Sequence, residues 1–490
     1  MVKFLELLSW DSIHYGRQKI ILDYDVVTPE NVLEILDKCL PIHDSNKRDC
    51  DYLIHYFLGK QDILNRGEST TSTINNKTVV NFAYPITREI VGYTFGNPVE
   101  LVQRDIKHLD DVTTLANIYN YENAYYVDIC SALYGSICGF SYQMTLPSEY
   151  ITKDDTPEVP ISYSCLDPRD TFVAFSSSPT APQLLSCQIT RRKDFSNIYT
   201  IYTDDLIFVI DDDDRENFKV YQNVIGLNPI TMIENSLFLT GDWEQAISVM
   251  NATNQVTSDA LNDIEGTIKS LLVILGAEFD DDDDNARLTK IKQNRVLTLV
   301  NATGGTLDAK FISPSLDSTS VENIKQYLED ARNVITGIPD RSANSSGGDT
   351  GTAVLNRDGW TDIEIVARLK ELFFKKGKKK QLAVGIKILK ILGLVSDELS
   401  IIDVEPVVGR HTTDNLATKT QAFATLVATG ELATIDCLEF SGLTNRVREV
   451  VERGEQAKEE REKKAEEIIN QNKNEDTGED TTDEEIKEEE

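Results

Sequence analysis

Apolar residues between Thr28 and about Arg66 recur three and four positions apart: Val32, Leu33, Ile35, Leu36 and Leu40, then Leu53, Ile54, Tyr56 and Phe57. That spacing lines one face of a helix, and Pro41, which lacks an amide hydrogen, predicts a break into two helices. From Asn75 to Leu101 a β-rich run, Thr78 to Phe82, precedes a helix and a Gly-Asn-Pro turn at Gly96 to Pro98. One long helix is expected next, roughly Leu109 to Ser141. Between Tyr142 and about Phe238 the period changes. Short β-branched and aromatic runs (Ile161–Cys165, Thr171–Phe175, Ile198–Tyr202, Leu206–Ile210, Phe218–Gln222) alternate with Pro, Asp and Ser clusters, as in an antiparallel meander. The tetrad Asp211 to Asp214 falls between two runs and reads as a solvated hairpin tip in preference to a cation site.

Helical spacing returns from Gly241 to about Leu275, through Trp243, Ile247, Met250, Ala260, Leu261, Ile264, Ile268, Leu271 and Leu272. It breaks at Asp280 to Asp284, before an α+β insert with strands at Arg295–Val300 and Ala309–Ile312 around Gly304-Gly305. Val321, Ile324, Tyr327, Leu328, Ala331, Val334 and Ile335 mark a second helix, which Gly337 and Pro339 close. Two helices that bracket a small module predict an antiparallel stalk with the module at its end. A Ser/Gly-rich segment, Arg341 to Gly351, follows and has the composition of a mobile linker. About Thr352 to Leu392 reads as one helix on the order of 60 Å long, with Trp360, Ile363, Val366, Leu369, Phe373, Leu382, Ile386 and Leu389 on its buried side. Ser396 to Val451 is predicted helical, and the Glu/Lys-rich sequence beyond Gly454 reads as a frayed helix and then a solvated acidic tail. The fold class expected from these elements is mixed α+β, predominantly α.

Charge adds one constraint. The 490 residues carry 49 basic and 82 acidic side chains, a net charge of −33, which repels a phosphate backbone. Tight nucleic-acid binding is disfavoured, whereas DNA as a transient passenger is not. The length exceeds what one hydrophobic core usually serves, so several substructures are expected. Seven cysteines without a C-x-x-C pair point to synthesis in a reducing compartment. The first residues lack the basic and apolar regions of a leader, and the longest apolar run, Leu271 to Ala277, is too short for a bilayer, so no membrane association is expected.

A search for chemistry gives little. His14, His43, His55, His108 and His411 are dispersed, without metal-ligand spacing. The segment Gly347 to Thr352 resembles a phosphate loop but lacks its Lys-Ser/Thr pair. No nucleophile elbow or dinucleotide fingerprint occurs. Asp280 to Asp284 lacks the alternating ligands and glycine of a calcium loop. No enzyme, catalytic residue, metal or cofactor is therefore expected. Lys375, Lys376, Lys378, Lys379 and Lys380 cannot share one helical face. Two readings stay open for them: a solvated face paired to acidic neighbours, or a positive ring near a DNA path or subunit contact.

In order along the chain, the Asn75–Leu101 block with its YTFGNP turn, Asn228-Pro229-Ile230 before Gly241-Asp242-Trp243-Glu244, the LLVILGAE segment taken as a helix end, and ITGIPD before a Ser/Gly loop resemble the portal proteins of long-tailed phages that infect Gram-positive bacteria. The likeness spans roughly residues 30 to 450. The resemblance implies an extended multi-region portal fold in a ring of twelve subunits, with wing (1–240), first stem helix (241–276), clip (277–319), second stem helix (320–337), channel loop (338–351), long wing helix (352–395), helical crown (396–454) and acidic tail (455–490). Val407 to Asn415 lacks a proline expected at the crown entrance.

The resemblance also implies sites. The channel loop next to DNA would comprise Arg341, Ser342, Asn344, Ser345, Ser346, Gly347, Gly348, Asp349, Thr350 and Gly351. Glu322, Gln326, Glu329 and Asn333, three or four apart, form one polar stripe expected to line the channel. The clip surface for partners would include Asp280, Asp281, Asp282, Asp283, Asp284, Arg287 and Lys290. The partners implied are the terminase large subunit, head-completion or connector proteins, major capsid and scaffolding proteins, and double-stranded DNA read without sequence specificity. The implied place is the portal vertex of the virion, after assembly in the host cytoplasm. Another head-tail connector or a minor head protein is the alternative.

Overall fold

The computed structural model describes residues 16–67, 74–104, 106–121, 124–148, 159–193, 196–268, 271–275, 296–299, 308–312, 318–339, 360–410, 416–444 and 447–476. About 53% helix against 19% strand makes it an α-rich mixed fold. Two units are distinguished: Met1–Val99 with Gln103–His411, and Glu100–Val102 with Thr412–Glu490.

Along the chain come β1 (Ile20–Leu22), α1 (Val32–Phe57), α2 (Ala83–Thr94), β2 (Glu100–Gln103), α3 (Leu109–Tyr121) and α4 (Ala124–Cys138). Eight strands follow: β3 (Phe140–Pro147), β4 (Ile161–Leu166), β5 (Thr171–Ser176), β6 (Gln183–Arg191), β7 (Asn197–Tyr202), β8 (Leu206–Asp211), β9 (Asp214–Gln222) and β10 (Ile230–Glu234). Then come α5 (Ile247–Ile268), β11 (Leu271–Leu275), β12 (Val296–Leu299), β13 (Asp308–Ile312), α6 (Ser318–Thr336), α7 (Trp360–Ile391) and β14 (Val404–Val407). The second unit holds α8 (Leu416–Thr429), α9 (Thr434–Ser441), which Gly442 ends in a left-handed conformation, and α10 (Val447–Asp476).

The meander forms two sheets. One has the order β1-β5-β6-β7-β8-β9, antiparallel except for the parallel β1–β5 pair; the other has the order β10-β3-β4. Alternation explains the large sheet's inner face: Phe172 and Ala174, Leu185 and Cys187, Tyr199 and Ile201, Phe208 and Ile210 pack against Val32, Ile35, Leu36 and Cys39 of α1. A second core gathers Tyr56, Ile86, Ile90, Phe140, Tyr142, Ile230, Trp243, Ile247 and Met250. The tetrad Asp211–Asp214 does sit at the β8–β9 hairpin, where Arg192 pairs with Asp211 at 2.7 Å and Arg215 with Asp212 at 2.6 Å.

Several sequence expectations are corrected. Pro41 lies inside the continuous helix α1; the hydrogen bond it forfeits is outweighed by one buried face that runs on through Leu36, Cys39, His43, Cys50 and Leu53. The helix expected over Leu109–Ser141 is two helices, and Ser141 lies in β3. Gly139 makes that turn: its φ is +86°, and a Cβ there would stand 2.0 Å from the Leu239 carbonyl oxygen. Leu271–Leu275 does not extend the preceding helix but forms β11, parallel to β12 and antiparallel to β13. The stretch before α8 is a 3-10 turn, Ile401–Asp403, capped reciprocally by Ser400 and Asp403, followed by β14. In α7, Leu369 is exposed, contrary to its expected place on the buried side. Among the described residues no helix is long and apolar enough to cross a membrane.

Candidate functional site

The helices α5 and α6 pack on one another and are rooted in the core around Trp243. Just before α5, Trp243 stacks on Tyr56 with ring centroids 5.5 Å apart and donates its indole N–H to Thr87 Oγ1 at 2.9 Å. Glu244 is wholly buried and paired with Arg17, whose guanidinium also donates to the Leu239 carbonyl at 3.0 and 3.1 Å. The amides of Gly16 and Gly241 donate to the same carboxylate at 2.8 Å each. Asp242 takes Lys370 of α7 at 2.5 Å. The Gly-Asp-Trp-Glu motif is thus a structural anchor for α5. Ile338, just past α6, packs against this same core, so the second helix returns to where the first began.

The run Thr78 to Phe82, expected as a strand, has no strand partner; Thr78 to Val80 lies along α5, and Phe82 already has the helical conformation that opens α2. The amides of Asn76, Thr78 and Val80 donate to Asn262 Oδ1 at 2.7 Å, Ser258 Oγ at 2.9 Å and Asn254 Oδ1 at 2.7 Å. Four residues of helix rise about 6 Å and two extended residues about 6.6 Å, so acceptors four apart meet alternate amides. Asn254 is fully buried and also donates to Gln61 Oε1 at 2.5 Å.

α6 presents two kinds of surface. In the polar stripe, Glu322 and Gln326 are exposed, with Gln326 bonded to Asp330 at 2.9 Å, while Glu329 and Asn333 are half-buried. About a third of a turn away, Tyr327 is 71% and Val334 82% exposed, and Ile324 and Ile335 extend the apolar area. Ile365, Leu369 and Leu372 make a comparable exposed stripe on α7. The sequence pattern marked Ile324, Tyr327, Val334, Ile335 and Leu369 as apolar helix positions but not as uncovered.

The lysine run on α7 is divided by burial. Lys375 and Lys379 pair with Glu371 and Glu405 at 2.7 and 2.8 Å, and Lys376 reaches Glu234 at 3.6 Å. Lys378 is fully buried, bonded to Asp128 at 2.7 Å and set over the Tyr119 ring, 4.5 Å from its centroid. Burial lowers its pKa, the Asp128 carboxylate opposing that shift. Tyr119 in turn donates to Asp128, and burial holds its hydroxyl pKa well above the ordinary value. Gly377 explains the depth: a Cβ there would meet Ile233 Cγ1 at 2.8 Å and the Met232 carbonyl at 3.1 Å, so its absence lets α7 close onto β10. Neither sequence reading foresaw a lysine inside the core.

A model of the family described as phage portal protein, SPP1 Gp6-like, matches residues 36–467, most of the chain. The chain belongs to this portal family. Among solved structures it is similar to a chain described as the neck of an empty GTA particle computed with C6 symmetry, at 12% identity and a TM-score of 0.44, over 81% of this chain and 94% of that one. A comparison with curated proteins gives no match. As a phage portal protein, the chain has its role in the connector at the head vertex.

In this portal, the loop residues Arg341–Gly351 and the clip residues Asp280–Asp284, Arg287 and Lys290 lie outside the described residues; only the α6 stripe of the expected sites lies within them. Among the described residues no group of three His, Cys, Asp or Glu side chains is placed to hold a metal ion.

Proposed function

We propose that copies of this portal close into a ring of twelve, with the α5–α6 pairs side by side around a bore that double-stranded DNA enters during packaging and leaves during ejection. The observation that carries this reading is the two-sided surface of α6. With Glu322, Gln326, Glu329 and Asn333 turned to the bore, Tyr327 and Val334 point toward the neighbouring copy, where burying such a side chain contributes about 1.5–3 kcal/mol. A mostly acidic or neutral lining repels phosphate weakly, so DNA slides without adhering. The loop Arg341–Gly351 follows the DNA surface, since Gly347, Gly348 and Gly351 accept backbone angles that other residues resist. The module around β11, β12 and β13, with Asp280–Asp284, Arg287 and Lys290, receives the terminase large subunit and later the head-completion proteins. Capsid and scaffolding proteins surround the ring at the vertex, and assembly takes place in the host cytoplasm. The role is passive: terminase drives DNA by ATP hydrolysis, and the portal is bearing and valve.

The test pairs assembly with chemistry. Purified protein is expected to form rings in electron micrographs and to show neither ATP turnover nor DNA cleavage. Tyr327→Ser with Val334→Asp is expected to abolish rings while the circular dichroism spectrum is retained. Rings that persist in that variant would overturn the assignment of α6.

A further inference from the structure

A cavity of about 300 Å³ opens where β1, β5, β10 and α7 meet. Its chemistry is unusual for a chain with a net charge of −33. Lys19, Lys376 and Lys380 all line it, against the single carboxylate of Glu234. Lys19 holds Glu234 Oε1 at 2.9 Å and Lys376 reaches the same oxygen at 3.6 Å. Lys380 has no carboxylate within 4.0 Å among the described residues and stands 5.9 Å from the Phe175 ring centroid. Partial burial and repulsion from Lys376 and Lys19 lower its pKa. Three ammonium groups around one carboxylate leave an excess of positive charge that a further anion beside Lys380 would offset.

The rest of the cavity decides which anion. Half-buried Phe175, Met232 and Phe373 contribute to its lining, an apolar surface that a free phosphate would leave unused. The Glu234 carboxylate and the concave, recessed shape disfavour a DNA duplex, whose phosphates lie on a convex surface. At the mouth, β1 is an edge strand bonded only to β5 within its sheet, and its Ile21 is exposed. An edge strand beside a side-chain cavity is the geometry that extended peptides use.

We propose that this cavity docks an acidic, extended peptide segment of a partner protein, with an apolar side chain against Phe175, Met232 and Phe373 and flanking carboxylates on Lys376 and Lys380. The site is independent of how α6 is oriented in an assembly. Its probe is a fluorescein-labelled peptide of sequence Glu-Glu-Leu-Glu-Glu, titrated with the full-length protein and followed by anisotropy. Binding is expected to weaken about tenfold, one factor of ten in Kd, with Lys380→Met, which keeps the apolar stem, and similarly with Lys376→Gln at a largely exposed position. A Glu-Glu-Ser-Glu-Glu peptide is expected to bind more weakly than the leucine form. No binding of the leucine peptide, binding unchanged by both substitutions, equal binding of the serine peptide, or displacement by millimolar inorganic phosphate or by a short DNA duplex would each overturn the proposal. Thermal melts of both variants guard against unfolding; if Lys380→Met melts early, Lys376→Gln decides.

Discussion

Helices α5 and α6 pack on one another yet differ in how completely one chain surrounds them. At the foot of α5, Trp243, Ile247 and Met250 are fully buried, and Glu244, Asn254 and Ser258 all have hydrogen-bond partners inside the protein. On α6, Tyr327 and Val334 remain largely in solvent. The difference teaches that the chain finishes the root of this pair by itself and leaves its outer flank for something else to finish; in our proposal, a second copy.

The contrast can be broken first at the root. Glu244→Gln strands the buried Arg17 guanidinium without a counter-charge, and loss of one partner of a buried pair costs about 3–5 kcal/mol; a chemical-denaturation curve close to that of the native protein would show the anchor to be dispensable. The α1 core offers a pH-dependent version. Buried His43 donates from Nε2 to the Arg169 carbonyl at 3.1 Å, and burial lowers its pKa to about 4. Between the ordinary value of about 6.5 and about 4, the unfolded chain binds a proton that the folded chain refuses, so stability is retained above that window and lost as pH falls through it. The total is about 3 kcal/mol, and His43→Gln is expected to remove that share of the pH dependence in melts at pH 4 and pH 7.

A smaller effect sharpens the middle of α5. Asn254→Ala deprives the Val80 amide and Gln61 of their partner, at about 1–3 kcal/mol, and should raise hydrogen exchange at Val80 more than at residues of the large sheet. Smallest of all, Val334→Ser on the open flank is expected to change the stability of the isolated chain by no more than about 0.5 kcal/mol. A large loss there would mean that the flank is already covered within one chain.

Much of the fold is legible where one period dominates. The alternation at Thr171–Phe175, Ile198–Tyr202 and Leu206–Ile210 marks strands that the structure contains, and the spacing after Val321 marks α6. Leu271–Leu275 misled because a short, wholly apolar run suits a helix end and a buried strand equally. The run from Thr78 was legible as non-helical but not as lying on a helix, because the partners of Thr78 and Val80 are Ser258 and Asn254, far away in sequence. The lysine run shows a third limit: composition announces charge, whereas the burial of Lys378 depends on its meeting Asp128 of α4 and on Gly377 meeting Met232 and Ile233 of β10. Lys19, Glu234 and Lys380 likewise share a cavity that no local pattern could announce.

The three amides of residues 76, 78 and 80 act on α5 as a key acts on a shaft. Turning the helix by a single residue, about 100°, would withdraw Asn254, Ser258 and Asn262 together, so the bearing of α5 about its own axis is fixed. Since α6 packs against that shaft, a short stretch of backbone far upstream fixes the surface on which α6 is seated, and an error there would be copied into every protomer of an assembly.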